Sequence, residues 1–232
     1  MKTPLLTRLG IVLAAAVLML LALPYYWQDN IFHEVAGTAM LVLLVAHNVF
    51  NRRWYAGLGH SPLDARSVIN RAVVLCLATV MLTLLVTSVM VSNTLFAALA
   101  LDNSFRAKQF HALAAYWGLI IVGAHVGMRW TQLMGIARGV VGIKSASSVR
   151  TWVLRLAALA IAIQGVRSSF ALNIGSKLFL QPLPDWWDFG ESSAGFFLHC
   201  LAVAGLYAAV SYYVVVWTQH AKRVRVTDNV AN

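Results

Sequence analysis

The chain is 232 residues long, 60% hydrophobic and only 11% charged, against about a quarter charged in a soluble domain. That deficit, with a mean hydropathy of +0.72, excludes a cytosolic globular protein, a disordered chain and a disulfide scaffold. Its 18 Lys+Arg outnumber its 8 Asp+Glu, a formal net charge of +10, which in so apolar a chain is a membrane-topology signal and not a nucleic-acid footprint.

A bilayer core about 30 Å thick takes about 20 mostly apolar residues per spanning helix. The first such segment covers about residues 9–27. Lys2, Arg8 and the run Ala14, Ala15, Ala16 give it the outline of a signal peptide. Its apolar run closes on Pro24, Tyr25, Tyr26 and Trp27, an interfacial ending, so an uncleaved helix is expected. The second span, about 31–50, carries His33 and His47 and is followed by Arg52, Arg53 and Trp54. The third covers about 72–92 and includes Cys76. The fourth, about 110–130, carries His111 and His125 behind Arg106 and Lys108. A basic, Gly/Ser-rich stretch at about 131–148 reads as a flexible link.

The fifth span, about 152–170, is interrupted by Arg155, Gln164 and Arg167. The connection at about 171–194 is the longest loop expected, and in its 181–191 stretch Trp186, Trp187 and Phe189 alternate with acids, as in a membrane-surface anchor or a docking loop. The sixth span, about 195–217, carries His199 and Cys200. The expected fold is thus an all-α integral membrane protein, a six-helix bundle formed by a single domain over 1–232. Cys76 and Cys200 fall near opposite faces and cannot pair. No C-x-x-C-H is present for covalent haem attachment.

Orientation follows from the basic residues. One side receives Lys2, Arg8, Arg52, Arg53, Arg66, Arg71, Arg129, Arg138, Lys144, Arg150, Arg155, Lys222, Arg223 and Arg225, which is 14 of the 18. The other receives Arg106, Lys108, Arg167 and Lys177. Both termini are therefore expected in the cytoplasm.

Ionisable residues inside a span are costly and are functional candidates. His33 and His47 are 14 residues apart, as are His111 and His125. Fourteen residues advance a helix by about 21 Å and return it to within roughly 40° of the same face. The second and fourth spans run in the same direction, so His33 is expected level with His111, and His47 with His125. Two cross-helix pairs at two depths suit two haem b groups stacked between helices 2 and 4, each iron taking one imidazole from each helix. Small residues at the ligands' offsets (Ala36 and Gly37, then Ala114, Ala115 and Gly118) suit a macrocycle but equally suit close helix packing. Arg106 and Lys108 at one end, and Arg52 and Arg129 at the other, are candidate propionate partners, or topology anchors. Glu34 is read as an acceptor for a ligand's N–H or as a headgroup-level charge. His199 is the candidate hydrogen-bonding base for a quinol oxidised near the outer haem, with Asp185, Asp188 or Glu191 taking the proton, or a packing histidine. His60 and His220 fall in loops.

The run from His33 to Trp54, with His33, Glu34, His47, Asn51 and Trp54 in place, resembles the flavinylation-associated cytochrome family of bacterial membranes. The segment from His111 to Trp130 is similar to that family's second half. The resemblance covers about residues 30–130, the expected haem-binding core, and is shared with other di-haem b cytochromes carrying the same histidine doublet. It implies an electron carrier of the bacterial inner membrane, working between a quinone pool or cytoplasmic donor and a flavin-bearing extracytoplasmic partner. No extramembrane segment is long enough to fold a flavin domain, so a flavin is expected on the partner. Two alternatives remain open: a self-contained ferric- or superoxide-linked oxidoreductase, and a haem-free anchor or transporter with proton-relay histidines.

Overall fold

The computed structural model describes residues 5–57, 64–100, 104–143, 145–181 and 187–231, with side chains as far as residue 219. His60, Asp185, Trp186, Lys2 and Lys144, and the side chains of His220, Lys222, Arg223 and Arg225, lie outside that description. Among the described residues all regular structure is helical: α1 (Leu5–Ala22), α2 (Asn30–Phe50), α3 (Arg52–Ala56), α4 (Ala65–Val91), a 3-10 turn (Ala97–Leu99), α5 (Phe105–Met128), α6 (Trp130–Val141), α7 (Ser148–Ala171), α8 (Ile174–Leu178) and α9 (Phe189–Ala231). Five are long and apolar enough to cross a membrane: α2, α4, α5, α7 and the Phe189–Gln219 part of α9. The protein is therefore a helical membrane protein. Helix α1 is apolar but has 18 residues, which gives about 27 Å of rise.

Four of the helices, α2, α5, α7 and α9, begin where side-chain oxygens can satisfy their first free N–H groups. Asp29 accepts from the Phe32 amide at 2.6 Å. Ser104 accepts from that of Ala107 at 3.2 Å, and Ser147 from that of Arg150 at 3.3 Å. Asp188 accepts from the Gly190 and Glu191 amides at 2.8 and 3.2 Å. As a result α5, α7 and α9 start several residues before the apolar runs that mark their spans.

Three sequence expectations change. Helix α1 stops at Ala22 instead of continuing to about residue 27, because Pro24 has no N–H and disfavours helical geometry before it; Tyr25–Gln28 form a turn instead. The expected link at 131–148 is mostly α6. Trp130, Leu133, Met134, Ala137, Val140 and Val141 repeat at helical spacing, and the helix stops at Gly142 in the left-handed region, where the Ile143 amide bonds the Arg138 carbonyl at 2.9 Å. The expected long loop is shortened at both ends by α8 and by the early start of α9. Its aromatics are partly used internally: Phe189 stacks on Trp27 at 5.4 Å, and the Trp187 indole donates to the Ser192 carbonyl.

The chain divides into two compact units. The first comprises Met1–Pro62, Ala78–Trp117 and Ser176–Ser192. Here α1 packs along α2, and Met19, Ala36, Met81, Leu84, Ala107, Ala114 and Tyr116 are buried. The second comprises Leu63–Leu77, Gly118–Gly175 and Ser193–Asn232, around fully buried Leu119, Phe196, Cys200 and Val203. In this unit glycines let helix backbones touch. A Cβ at Gly123 would collide with the Ala204 carbonyl, one at Gly127 with that of Ala208, and one at Gly165 with that of Ala202. The Ser211 hydroxyl closes the α5–α9 contact by donating to the Ala124 carbonyl at 2.9 Å.

Candidate functional site

The first unit brings His33 on α2 and His111 on α5 together, with ring centroids 5.8 Å apart and planes inclined at 70°. Metal–imidazole bonds of about 2.0–2.1 Å place two rings on opposite sides of one metal about 6 Å apart by centroid, so the pair has the spacing of shared axial ligands. His33 Nδ1 is buried without a hydrogen-bond partner, while the ring is engaged by the backbone at Ala22 and meets the edge of Tyr25 at 5.1 Å. An unpartnered buried nitrogen is rare, and needs a reason. The donor set therefore fits a bis-histidine iron.

His111 is held from the other side. Its Nδ1 lies 2.9 Å from the Thr87 hydroxyl on α4. Thr87 already donates to the Thr83 carbonyl at 2.7 Å, so toward His111 it accepts, and the imidazole carries its proton on Nδ1. Nε2 is then the basic nitrogen. The sequence reading missed Thr87. The signal was present as Thr79, Thr83 and Thr87, a stripe of hydroxyls at four-residue spacing on the helix between the two histidine helices.

Space beside His33 differs from what close packing would give. A Cβ at Gly37, four residues after His33, would meet nothing within 4 Å. That glycine is not there to let two backbones touch. It leaves open space one turn from His33.

Glu34 has a role that neither sequence reading anticipated. Its carboxylate accepts from the Ser92 and Thr94 hydroxyls at 2.8 and 2.6 Å. It also accepts from the backbone amides of Asn93, Thr94 and Leu95 at 2.8, 3.2 and 2.7 Å, and from the Asn30 side chain at 2.8 Å. The segment leaving α4 is thus wrapped around one side chain of α2. This clasp fixes the register of the helix bearing His33 against the helix bearing Thr87.

The remaining candidates are distributed as follows. His47 is in the first unit; the Asn51 amide donates to its carbonyl at 2.7 Å and lies 3.4 Å from its Nδ1. His125 is in the second unit, two positions from both Gly123 and Gly127, so it leaves α5 on the face about 160° from the α9 contact. Arg106, Lys108 and Arg52 are exposed and have no polar partner among the described residues. Arg129 is half-buried in the second unit, and burial, followed by the neighbouring Arg66 charge, lowers its pKa. His199, also in the second unit, has its Nδ1 2.8 Å from the Ser168 hydroxyl. Ser168 is fully buried, with no other side-chain hydrogen bond among the described residues; donating to His199 is how its proton is satisfied. That leaves the His199 proton on Nε2. Of the acids expected to accept a proton, Asp188 is occupied as the α9 cap, and Glu191 is exposed in the first turn.

No protein-family model matches the chain, nor does any curated protein or solved structure.

Proposed function

We propose that this protein is a di-haem b-type membrane cytochrome, with α1 as a sixth span, that moves electrons across the bacterial inner membrane. One haem is assigned to His33 and His111. The observation that carries the assignment is this pair, 5.8 Å apart by ring centroid, with a buried, unpartnered nitrogen on His33. The second haem is assigned to His47 and His125, and the support is their equal 14-residue offset from the first pair. When bound, the haems supply one-electron chemistry, and the chain sets their ligands and surroundings. Thr87 keeps the His111 proton on Nδ1. The Glu34 clasp holds the two ligand helices in register. Arg106 and Lys108 at one end, with Arg52 and Arg129 at the other, offer cations to the propionates.

The positive-inside count supports cytoplasmic termini, with the His33–His111 end facing outward. His199, with its Nδ1 2.8 Å from the Ser168 hydroxyl, is the proposed quinone contact, and a flavin-bearing extracytoplasmic protein is the proposed partner. The resemblance of residues 30–130 to flavinylation-associated cytochromes supports that choice.

A reduced-minus-oxidised visible spectrum of the purified protein, with haem counted per chain, tests the reading. Two b haems per chain are expected. Absence of b-type α and Soret bands when haem is supplied during expression would sink it. His33→Ala and His111→Ala should remove one and the same haem, and His47→Ala and His125→Ala the other. A purified protein that reduces ferric iron or oxygen at full rate with no partner would favour the self-contained oxidoreductase.

A further inference from the structure

We infer that Thr87 is a positioning residue that locks the ligand tautomer of His111 and, through it, sets the reduction potential of one haem. The inference rests on the function proposed above, but its geometry is independent of it. A free imidazole divides its proton between two nitrogens, and only the bare one can bind a metal. Three facts remove that freedom here. Thr87 Oγ1 and His111 Nδ1 are 2.9 Å apart. The Thr87 proton is committed to the Thr83 carbonyl at 2.7 Å, with the Leu84 carbonyl also in reach at 3.2 Å. Thr87 is buried, so water does not replace either bond. The hydroxyl is therefore a fixed acceptor, and an acceptor facing Nδ1 obliges that nitrogen to carry the hydrogen.

The helix backbone thus acts on the ligand through one side chain. The Thr83 carbonyl orients the hydroxyl, the hydroxyl orients the imidazole, and Nε2 is left as a lone pair on the ring that faces His33. A hydrogen bond donated by a ligand's distal N–H also makes the ligand more basic. A more basic ligand stabilises the oxidised iron, so the bond holds that haem's potential down. Thr87→Val keeps the shape and removes the acceptor; Thr87→Ser keeps the acceptor and removes a methyl group.

The test combines potentiometry and nitrogen NMR on the full-length protein in detergent. With haem bound, Thr87→Val should shift one haem's reduction equilibrium about tenfold toward the reduced form, which is 59 mV for a one-electron couple, and leave the other haem unmoved. Thr87→Ser should restore the wild-type value. Loss of one haem in Thr87→Val but not in Thr87→Ser would also support the role. Unchanged potentials with both haems retained would overturn it, as would equal shifts in both haems or a Thr87→Ser variant no better than Thr87→Val. The second readout needs no haem. In protein labelled with nitrogen-15 at histidine and expressed without haem supply, His111 should show a protonated Nδ1 and a bare Nε2; the reverse pattern overturns the inference. A wild type that never acquires haem defeats the proposed function, and the tautomer measurement still decides the role of Thr87.

Discussion

Gly37 in the first unit and Gly123, Gly127 and Gly165 in the second meet opposite surroundings, and so do the hydroxyls of Thr87 and Ser168. In the second, Gly123, Gly127 and Gly165 stand where a Cβ would strike the backbone of α9, so the small residues close space. In the first, Gly37 faces nothing within 4 Å, so the small residue opens space. Each unit also has an imidazole paired with a hydroxyl. Thr87 is already donating elsewhere and can only accept from His111, whereas Ser168 has no other side-chain partner among the described residues and donates to His199. The same residue types therefore leave opposite nitrogens bare. Glycine and histidine in a membrane helix say little by themselves, and what the neighbouring backbone has already claimed decides their work.

The contrast can be broken most directly at the glycines. Gly127→Leu should prevent α5 and α9 from meeting and abolish the folded state, read as loss of a cooperative transition in detergent by circular dichroism. Gly37→Leu should leave that transition in place and, under the proposed function, lower the haem bound; collapse of both variants alike would erase the distinction. The milder Gly127→Ala should cost about 1–3 kcal/mol through overpacking. Gly37→Ala should be neutral or stabilising by up to about 1 kcal/mol, since alanine is the better helix former.

The clasp comes next. Glu34→Gln keeps the shape but replaces an acceptor-only anion by an amide that brings its own donors to the Ser92–Leu95 segment. With bonds to a charged group worth about 1.5–3 kcal/mol each and partial compensation by water, a loss of about 2 kcal/mol is expected from chemical denaturation. Ser168→Ala should cost about 1–3 kcal/mol by leaving His199 Nδ1 without its donor, and histidine NMR should report the changed tautomer. The smallest effect belongs to Arg106→Ala, within about 0.5 kcal/mol in stability, because nothing among the described residues holds that side chain.

Much of this was legible from the residues. The five long spans follow from apolar length, and the His33–His111 pair from a matched 14-residue spacing that helix geometry converts to equal depth. Other features were hidden because hydropathy is blind to polar detail. A window average places α5 near residue 110, but its first turn is set by the Ser104 hydroxyl. Helix α6 was obscured by two glycines and its basic residue, although its apolar positions keep helical spacing. Thr87 and Ser168 look alike in sequence as hydroxyls in apolar helices. Their difference lies in whether a carbonyl one turn back has taken the proton, which only the three-dimensional arrangement supplies. The Glu34 clasp was hidden because half of its contacts are to three consecutive backbone amides, and no side-chain pattern announces those.

The clasp also has a consequence for biogenesis. Glu34 is separated from its partners by 58 to 61 residues, and synthesis at 5–20 residues per second makes that interval about 3–12 s. During it, α2 carries an ionised carboxylate whose matching cradle has not yet been made. Only when the end of α4 arrives does that charge gain the Ser92 and Thr94 hydroxyls and the three backbone amides as donors. Completion of the clasp therefore waits on α4, so the register of α2 against the end of α4 is fixed only after both helices have been made.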